Sequence, residues 1–470
     1  MLTFSICSDS VAHHNTFVPG FYYYNQVVKQ EYLAHGGRYI TLGKISDVSD
    51  GEHSAIPRNS IGGIRYLYGR NIREGVIDFD PISDDSYISY DDYESFSRCH
   101  IKENDVLIAI YGTVGKSAVY RKEYVGTAGI PRHVANISLR NDAPITPEYL
   151  TAFFRSKYGK AQITSFMTGN IQQLFSLKSI REYSVPILPE EIMQKITLTE
   201  KEAVSCEIKA QAALRKAFDL FYSSMGFDPR DTASERHFSV NSEDLFASNI
   251  WSVSMYNNTY QDVEDQMLKS TGVYQLGEIA DMFHGDEVGS EAYLSYEDRS
   301  ESDRPFIRTS DIVNFEADLY PDYYVSAEDC ALINQSVLPE DVIFTKDGKI
   351  GAVGMVVDSD NAIYASGVEI LRVKKSAREQ GITPQFVFAA LAIPEVGLYG
   401  AKRRAVVAST IPHLREARLK EIVIPAITKD HIDEITQHVK EAFAYKNRRK
   451  QLLKSTEMVI DNYFMHKEET

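Results

Sequence analysis

Two short runs, Val106–Ile110 and Val342–Phe344, are apolar at every position. Asn104-Asp105 and Gly112 bracket the first, Glu340-Asp341 and Gly348 the second. Such runs predict β-strands, and the glycines that follow at once predict tight connections to further strands. Val134–Leu139 and Val368–Val373 read as two more. After each of these, a proline opens a helical pattern, over residues 147–159 and 384–394, the normal place for proline in a helix. Then the period lengthens. Ile192, Ile196, Ile208, Leu214, Phe218 and Phe221 fall mostly at three- and four-residue steps, as do Ile432, Ile435, Val439, Phe443, Leu452 or Leu453, Val459 and Phe464. This spacing predicts one amphipathic helix over roughly Pro189–Met225 and another over roughly Asp430–His466. At ~1.5 Å per residue each is ~50 Å long, a coiled-coil arm rather than an ordinary globular helix.

These stretches are one unit written twice. LGKISDVSDGEH from Leu42 returns as LGEIADMFHGDE from Leu276, and IRYLYGRNI ending at Ile72 returns as RPFIRTSDI ending at Ile312. Residues 102–120 match 339–357, which aligns Asp105, Gly112 and Gly115 with Asp341, Gly348 and Gly351; residues 171–189 match 411–428. The polar stretch Phe227–Ser239 predicts a linker between the copies. The domain boundaries expected are therefore 1–188 for the first β-rich domain and 189–226 for its long helix. Residues 227–427 hold the linker and second domain, and 428–470 the second long helix.

Composition narrows the function. The 470 residues are 43% hydrophobic and 25% charged, which fits a globular chain with two or more cores and excludes a disordered one. Fifty basic against 66 acidic residues leave a net charge of −16, so the chain does not coat nucleic acid by bulk charge. Contact with phosphates has to come from local basic patches. Cys7, Cys99, Cys206 and Cys330 have neither metal-ligand nor redox spacing, and a reducing cytoplasm is expected. No apolar run approaches the ~20 residues that span a bilayer. The start, MLTFSICSDSVAHHNTF, lacks the pattern of a signal peptide.

Catalytic motifs fail on inspection. Gly112-Thr-Val-Gly115-Lys116-Ser117 resembles a phosphate loop, but that loop needs a glycine where Ile110 stands. Asp347-Gly348-Lys349 shares the register of that non-acidic turn and reads as a turn. His13-His14 has no carboxylate or cysteine pattern beside it, so no metal site is expected. The sequence contains neither an Asn/Asp-Pro-Pro-aromatic tetrapeptide nor a G-x-S-x-G nucleophile turn. The balance moves from an enzyme toward a binding module.

A doubled unit with approximate two-fold symmetry suits a ligand with two similar halves, and duplex DNA is the obvious one. The candidate contacts in copy one are Arg65, Tyr68, Arg70 and Asn71 at a strand end, Lys116 on the glycine turn, Arg132 and His133 after Pro131, and Asn170, Gln172 and Gln173 after Gly169. In copy two they are Arg308 and Thr309, Lys346 and Lys349 flanking the turn, and Lys402, Arg403 and Arg404 before Ser409 and Thr410. Arginine reads guanine, asparagine and glutamine read adenine, and all can instead bind phosphate. A lone basic residue on a loop is more often simply solvated. The clusters stand out because they recur at equivalent points of both copies with different residues, as two different half-sites require.

The chain resembles the specificity (S) subunit of type I restriction–modification systems. In copy one the resemblance rests on DGEH (50–53), GIRYLYGRNI (63–72), DVLIAIYGTVGKSAVY (105–120), PEYLTAFFRSKYG (147–159) and SVPILPEEIMQKI (184–196). In copy two it rests on LGEIADMFHG (276–285), FIRTSDI (306–312), DVIFTKDGKIGAVG (341–354) and EIVIPAITKDHIDEI (421–435). The resemblance implies an α+β fold with two similar β-rich target recognition domains. Two long helices would join them, packed as an antiparallel coiled coil with pseudo-two-fold symmetry. It implies a DNA-binding subunit without catalysis, each domain reading half of a bipartite target. The helices would set the gap and dock adenine-N6 methyltransferase subunits, and a nuclease–translocase would join for cleavage. S-adenosylmethionine and ATP would belong to those partners, with no cofactor or metal in this chain. The acidity leaves a second reading open, an acidic protein-interaction scaffold of a defence complex that reuses the recognition fold.

Overall fold

A computed structural model describes residues 22, 29–34, 36–58, 62–79, 87–167, 174–232, 238–248, 252–296, 299–300, 302–408 and 411–468. They fall into two compact units. The first takes residues up to Phe79, residues from 87 to Ile208 and those from Arg448 onward; the second takes Lys209–Asn447.

In the first unit, β1 (Ser46–Asp50), β2 (Ile64–Tyr66), β3 (Tyr87–Ile88), β4 (Val106–Ala109), β5 (Ser117–Val119), β6 (Ala128–Gly129) and β7 (Val134–Leu139) make two sheets. The larger has the order β1-β7-β4-β5 and is antiparallel throughout. The smaller has the order β3-β2-β6, with β2 antiparallel to β3 and parallel to β6. Every position of β4 is buried because apolar groups cover both of its faces. Val106 and Ile108 pack with Tyr149, Phe153 and Phe154 of α1 (Pro147–Arg155). Leu107 and Ala109 pack with Ile72, Ile77 and Tyr120. Side chains alternate across a strand, so an unbroken apolar run serves two cores at once.

The Thr146 hydroxyl caps α1 by accepting the Tyr149 N–H, with Pro147 in the first turn. The helical pattern over 147–159 proves to be two helices. Ser156 is extended; it ends α1 and caps α2 (Lys157–Phe166), its hydroxyl accepting the Gly159 N–H. The long helix α3 (Glu190–Ser224) follows.

The second unit has the same plan. After α4 (Asn258–Ser270) come β8 (Ala280–His284), β9 (Arg304–Ile307), β10 (Tyr323–Val325), β11 (Val342–Thr345), β12 (Val353–Met355), β13 (Ile363–Tyr364) and β14 (Val368–Val373). The larger sheet is β8-β14-β11-β12 and the smaller β10-β9-β13, with the same strand senses as in the first unit. Val342 and Phe344 again face one core and Ile343 another. Then come α5 (Pro384–Ala392), α6 (Gly397–Arg404), the hairpin of β15 (Val406–Ala408) and β16 (Ile411–His413), and α7 (Lys429–Glu468).

Each unit takes part of both long helices. In the first, Ile196 of α3 shares a core with Ile460 and Phe464 of α7. Glu200 meets Thr456 and Glu207 meets Arg449, so the two segments run antiparallel there. The fully buried Arg155 joins them, pairing with Glu200 and donating to Thr456 Oγ1 at 3.0 Å. In the second unit, Leu214, Ala217 and Phe221 of α3 share a core with Ile435, Val439 and Phe443 of α7. Lys446 and Glu316, both fully buried, pair there at 3.1 Å. Among the described residues, no helix is long and apolar enough to cross a membrane.

Candidate nucleic-acid interface

One end of the larger sheet gathers the polar residues in each unit. In the first, Asp50 lies opposite Ala135 and Ala109 opposite Val134, so the end of β1, the end of β4 and the start of β7 come together. The backbones cross there too closely for any side chain. A Cβ on Gly51 would stand 2.0 Å from the Ile130 carbonyl oxygen, and one on Gly285 would stand 2.0 Å from that of Ala365. These are the glycines of DGEH and HGDE, so that repeated signature marks a crossing point of the fold.

Around Gly51 the surface is rich in arginine. Asp50 Oδ2 lies 2.8 Å from His53 Nε2, and its other oxygen pairs with the exposed Arg98. Burial pushes the Asp50 carboxyl up, but the hydrogen bonds from Arg98 and His53 outweigh it and hold the group below the usual carboxylate range. The exposed Arg70 guanidinium lies 4.5 Å from the Tyr68 ring centre, and Arg58 lies 4.2 Å from that of Tyr66. A guanidinium stacked on a ring stays extended while its edge N–H groups remain available to an anion. Arg132 is exposed. His133 beside it meets Tyr111 edge-on at 5.4 Å, and burial followed by the Arg132 charge pushes its imidazole pKa down.

Other predicted contacts in this unit serve the frame. Asn71 is buried; its side chain accepts the Tyr68 N–H at 2.9 Å and donates to the Asp78 carbonyl at 3.0 Å, which braces the loop. Arg65 is half-buried over Phe79, 4.4 Å from the ring centre, and desolvation lowers its pKa. Lys116 is buried. Asn170, Gln172 and Gln173 lie outside the described residues, as do His13, His14 and residues 233–237 of the expected linker.

In the second unit the same sheet end mixes acids with bases. Arg308 lies 4.4 Å from the Tyr323 ring centre and bonds to Asp311 at 3.2 Å and Asp322 at 2.9 Å. Beside it, Thr309 is half-buried. Lys346 Nζ sits 2.7 Å from Glu369 Oε2, while Lys349 and Lys402 are partly exposed. Arg403 and Arg404 turn toward α4 and pair with Glu264 at 2.7 and 2.8 Å. Burial pushes the Glu264 carboxyl up, but the guanidinium hydrogen bonds hold it below its usual range. Ser409 and Thr410 lie outside the described residues.

An open cleft of about 570 Å³ adjoins this end, with His284, Lys346, Asp347, His413, Arg415 and Glu416 in its wall. His284, His413, Arg415 and Glu416 were missed as candidates, although all four lie in the repeated blocks LGEIADMFHGDE and IPHLREAR. In the first unit Arg58, Arg98 and Tyr111 were missed; of these only Tyr111 lies in a repeated block.

No family model and no curated protein matches the chain. Solved structures do match along most of its length, and they are type I restriction–modification S subunits. The S subunit from M. genitalium is 13% identical, with 92% of this chain and 95% of that one covered, at a TM-score of 0.31. The HsdS subunit from Thermoanaerobacter tengcongensis is 15% identical, with 91% and 96% covered, at 0.27. A chain from a study of complex assembly and conformational transition of the type I R-M system is 14% identical, with 91% and 97% covered, at 0.28.

Proposed function

We propose that this chain is the DNA sequence-recognition subunit of a type I-like restriction–modification or related defence complex. The observation that carries the reading is the duplication. The same pair of sheets, with the same strand order, occurs in both units, each with a polar cluster at the same sheet end but with different residues in it. Like frames carrying unlike contact chemistry suit the two halves of a bipartite duplex target. The motifs shared with specificity subunits along both copies point the same way.

On this reading the units are target recognition domains related by approximate two-fold symmetry. Helices α3 and α7 act as an antiparallel spacer that sets the gap between half-sites. They also dock adenine-N6 methyltransferase subunits, and a nuclease–translocase joins for cleavage. The chain works in the cytoplasm and carries no catalysis of its own. S-adenosylmethionine and ATP belong to the partners, and the methyltransferase flips the target base out of the stack. Arg70, Arg132, Lys349 and Lys402 supply phosphate contacts from local patches, which the net charge of −16 does not forbid.

The test is selection from random duplexes with the chain and its methyltransferase partner together. Two short motifs at a fixed separation are expected. Failure to retain any duplex in a salt-dependent way, with the partner present, would overturn the reading in favour of an acidic scaffold that binds protein.

A further inference from the structure

We propose that the second unit holds a divalent metal site formed by His284, Glu369 and Glu416. One ligand atom from each can be chosen so that all lie within 4.8 Å of one another. His284 is the last residue of β8, Glu369 lies directly opposite it on β14, and Glu416 opens the helical turn Glu416–Leu419 after β16. His284 Nδ1 is 2.9 Å from Glu369 Oε2, and its Nε2 is 3.1 Å from Glu416 Oε2. Glu369 is fully buried, whereas His284 and Glu416 line the open cleft. An ion can therefore enter from solvent and keep water on its outer side.

A second observation points to a missing cation. The other Glu369 oxygen, Oε1, is buried and has no hydrogen-bond partner among the described residues. Buried polar atoms are almost always paired, and a carboxylate that holds an ion through both oxygens satisfies both. One imidazole with two carboxylates is a donor set suited to Zn²⁺.

Lys346 shows that the position already favours positive charge. Its Nζ lies 2.7 Å from Glu369 Oε2 and 2.7 Å from His284 Nδ1. Ammonium and metal compete for the same carboxylate, so metal binding releases Lys346 toward the cleft. If the chain reads DNA as proposed above, the released ammonium becomes one more phosphate contact; the metal site itself does not depend on that reading.

The experiment uses the full chain, stripped of metal with a chelator. It is titrated with Zn²⁺ by calorimetry and with Co²⁺ by visible absorption. One ion per chain is expected. Glu369→Gln and His284→Ala should weaken binding by about tenfold or more, and Lys346→Met, which removes the competitor, should tighten it by about tenfold. Circular dichroism without metal checks that each variant folds. If Glu369→Gln does not, the partly exposed Glu416→Gln replaces it and should also weaken binding. Two results overturn the proposal: no saturable Zn²⁺ binding in either the parent chain or Lys346→Met, or binding unchanged by the ligand substitutions. Neither result bears on DNA recognition, because DNA affinity is not the readout.

Discussion

Replacing Arg70 and Arg132 together by alanine should flatten the salt dependence of DNA binding and leave the fold intact, whereas Arg404→Ala should do the reverse. Arg70 and Arg132 are exposed at the sheet end of the first unit. Each phosphate contact contributes about −0.9 to the slope of log affinity against log salt, so losing two flattens it by about 1.8. Between about 50 and 200 mM salt, a fourfold change, the salt-driven loss of affinity should then be about 12-fold smaller. Exposed substitutions of this kind change stability by about 0.5 kcal/mol or less. Arg404 differs because it is buried, and it donates to both Glu264 oxygens at 3.1 and 2.8 Å. Hydrogen bonds to charged groups contribute about 1.5–3 kcal/mol, and Arg403 remains to hold part of the Glu264 charge. Fluorescence anisotropy on a selected duplex across that salt range gives the slopes, and urea unfolding gives the stabilities. The reasoning fails if Arg404→Ala flattens the slope as much as the double variant, or if the double variant leaves it unchanged.

The fully buried Lys446–Glu316 pair makes Lys446→Met destabilising by about 3–5 kcal/mol, since it strips a partner from a charge that cannot reach water; an unchanged urea midpoint would contradict this. The Glu264 carboxyl, raised by burial but held below its ordinary 4.5 by Arg404 and Arg403, contributes stability that is fully present above that value. This contribution is lost as pH falls through the lower folded value. Glu264→Gln should therefore flatten the fall of the urea midpoint between about pH 6 and pH 3; identical acid limbs in the two proteins would refute the assignment. Deleting about one turn from both α3 and α7 (~4 residues each) should shorten the gap between selected half-sites or abolish binding. A gap of unaltered length would end the spacer role.

Local signals carried much of the frame. Val134–Leu139 and Val368–Val373 are strands over those same bounds, and the long helices, Glu190–Ser224 and Lys429–Glu468, begin and end within a few residues of the periodic patterns. Apolar period and internal repetition are written along the chain, and burial enforces them position by position. The break at Ser156 was hidden because both helices it separates share one apolar pattern, and only a local cap divides them.

The site was decided by the tertiary structure. Asn71 and Lys116 carry loop-like polar side chains, yet packing turns them inward. Arg403 and Arg404 look like a basic patch in the sequence, but they meet Glu264, which for Arg404 lies 140 residues away. His284 and Glu369 are 85 residues apart and become neighbours only because β8 pairs with β14. Which charge faces which, and which is shut away from water, depends on distances through space. Spacing along the chain does not encode those distances, so the sequence by itself determined the frame and its duplication, and the fold alone decided which side chains were left to bind.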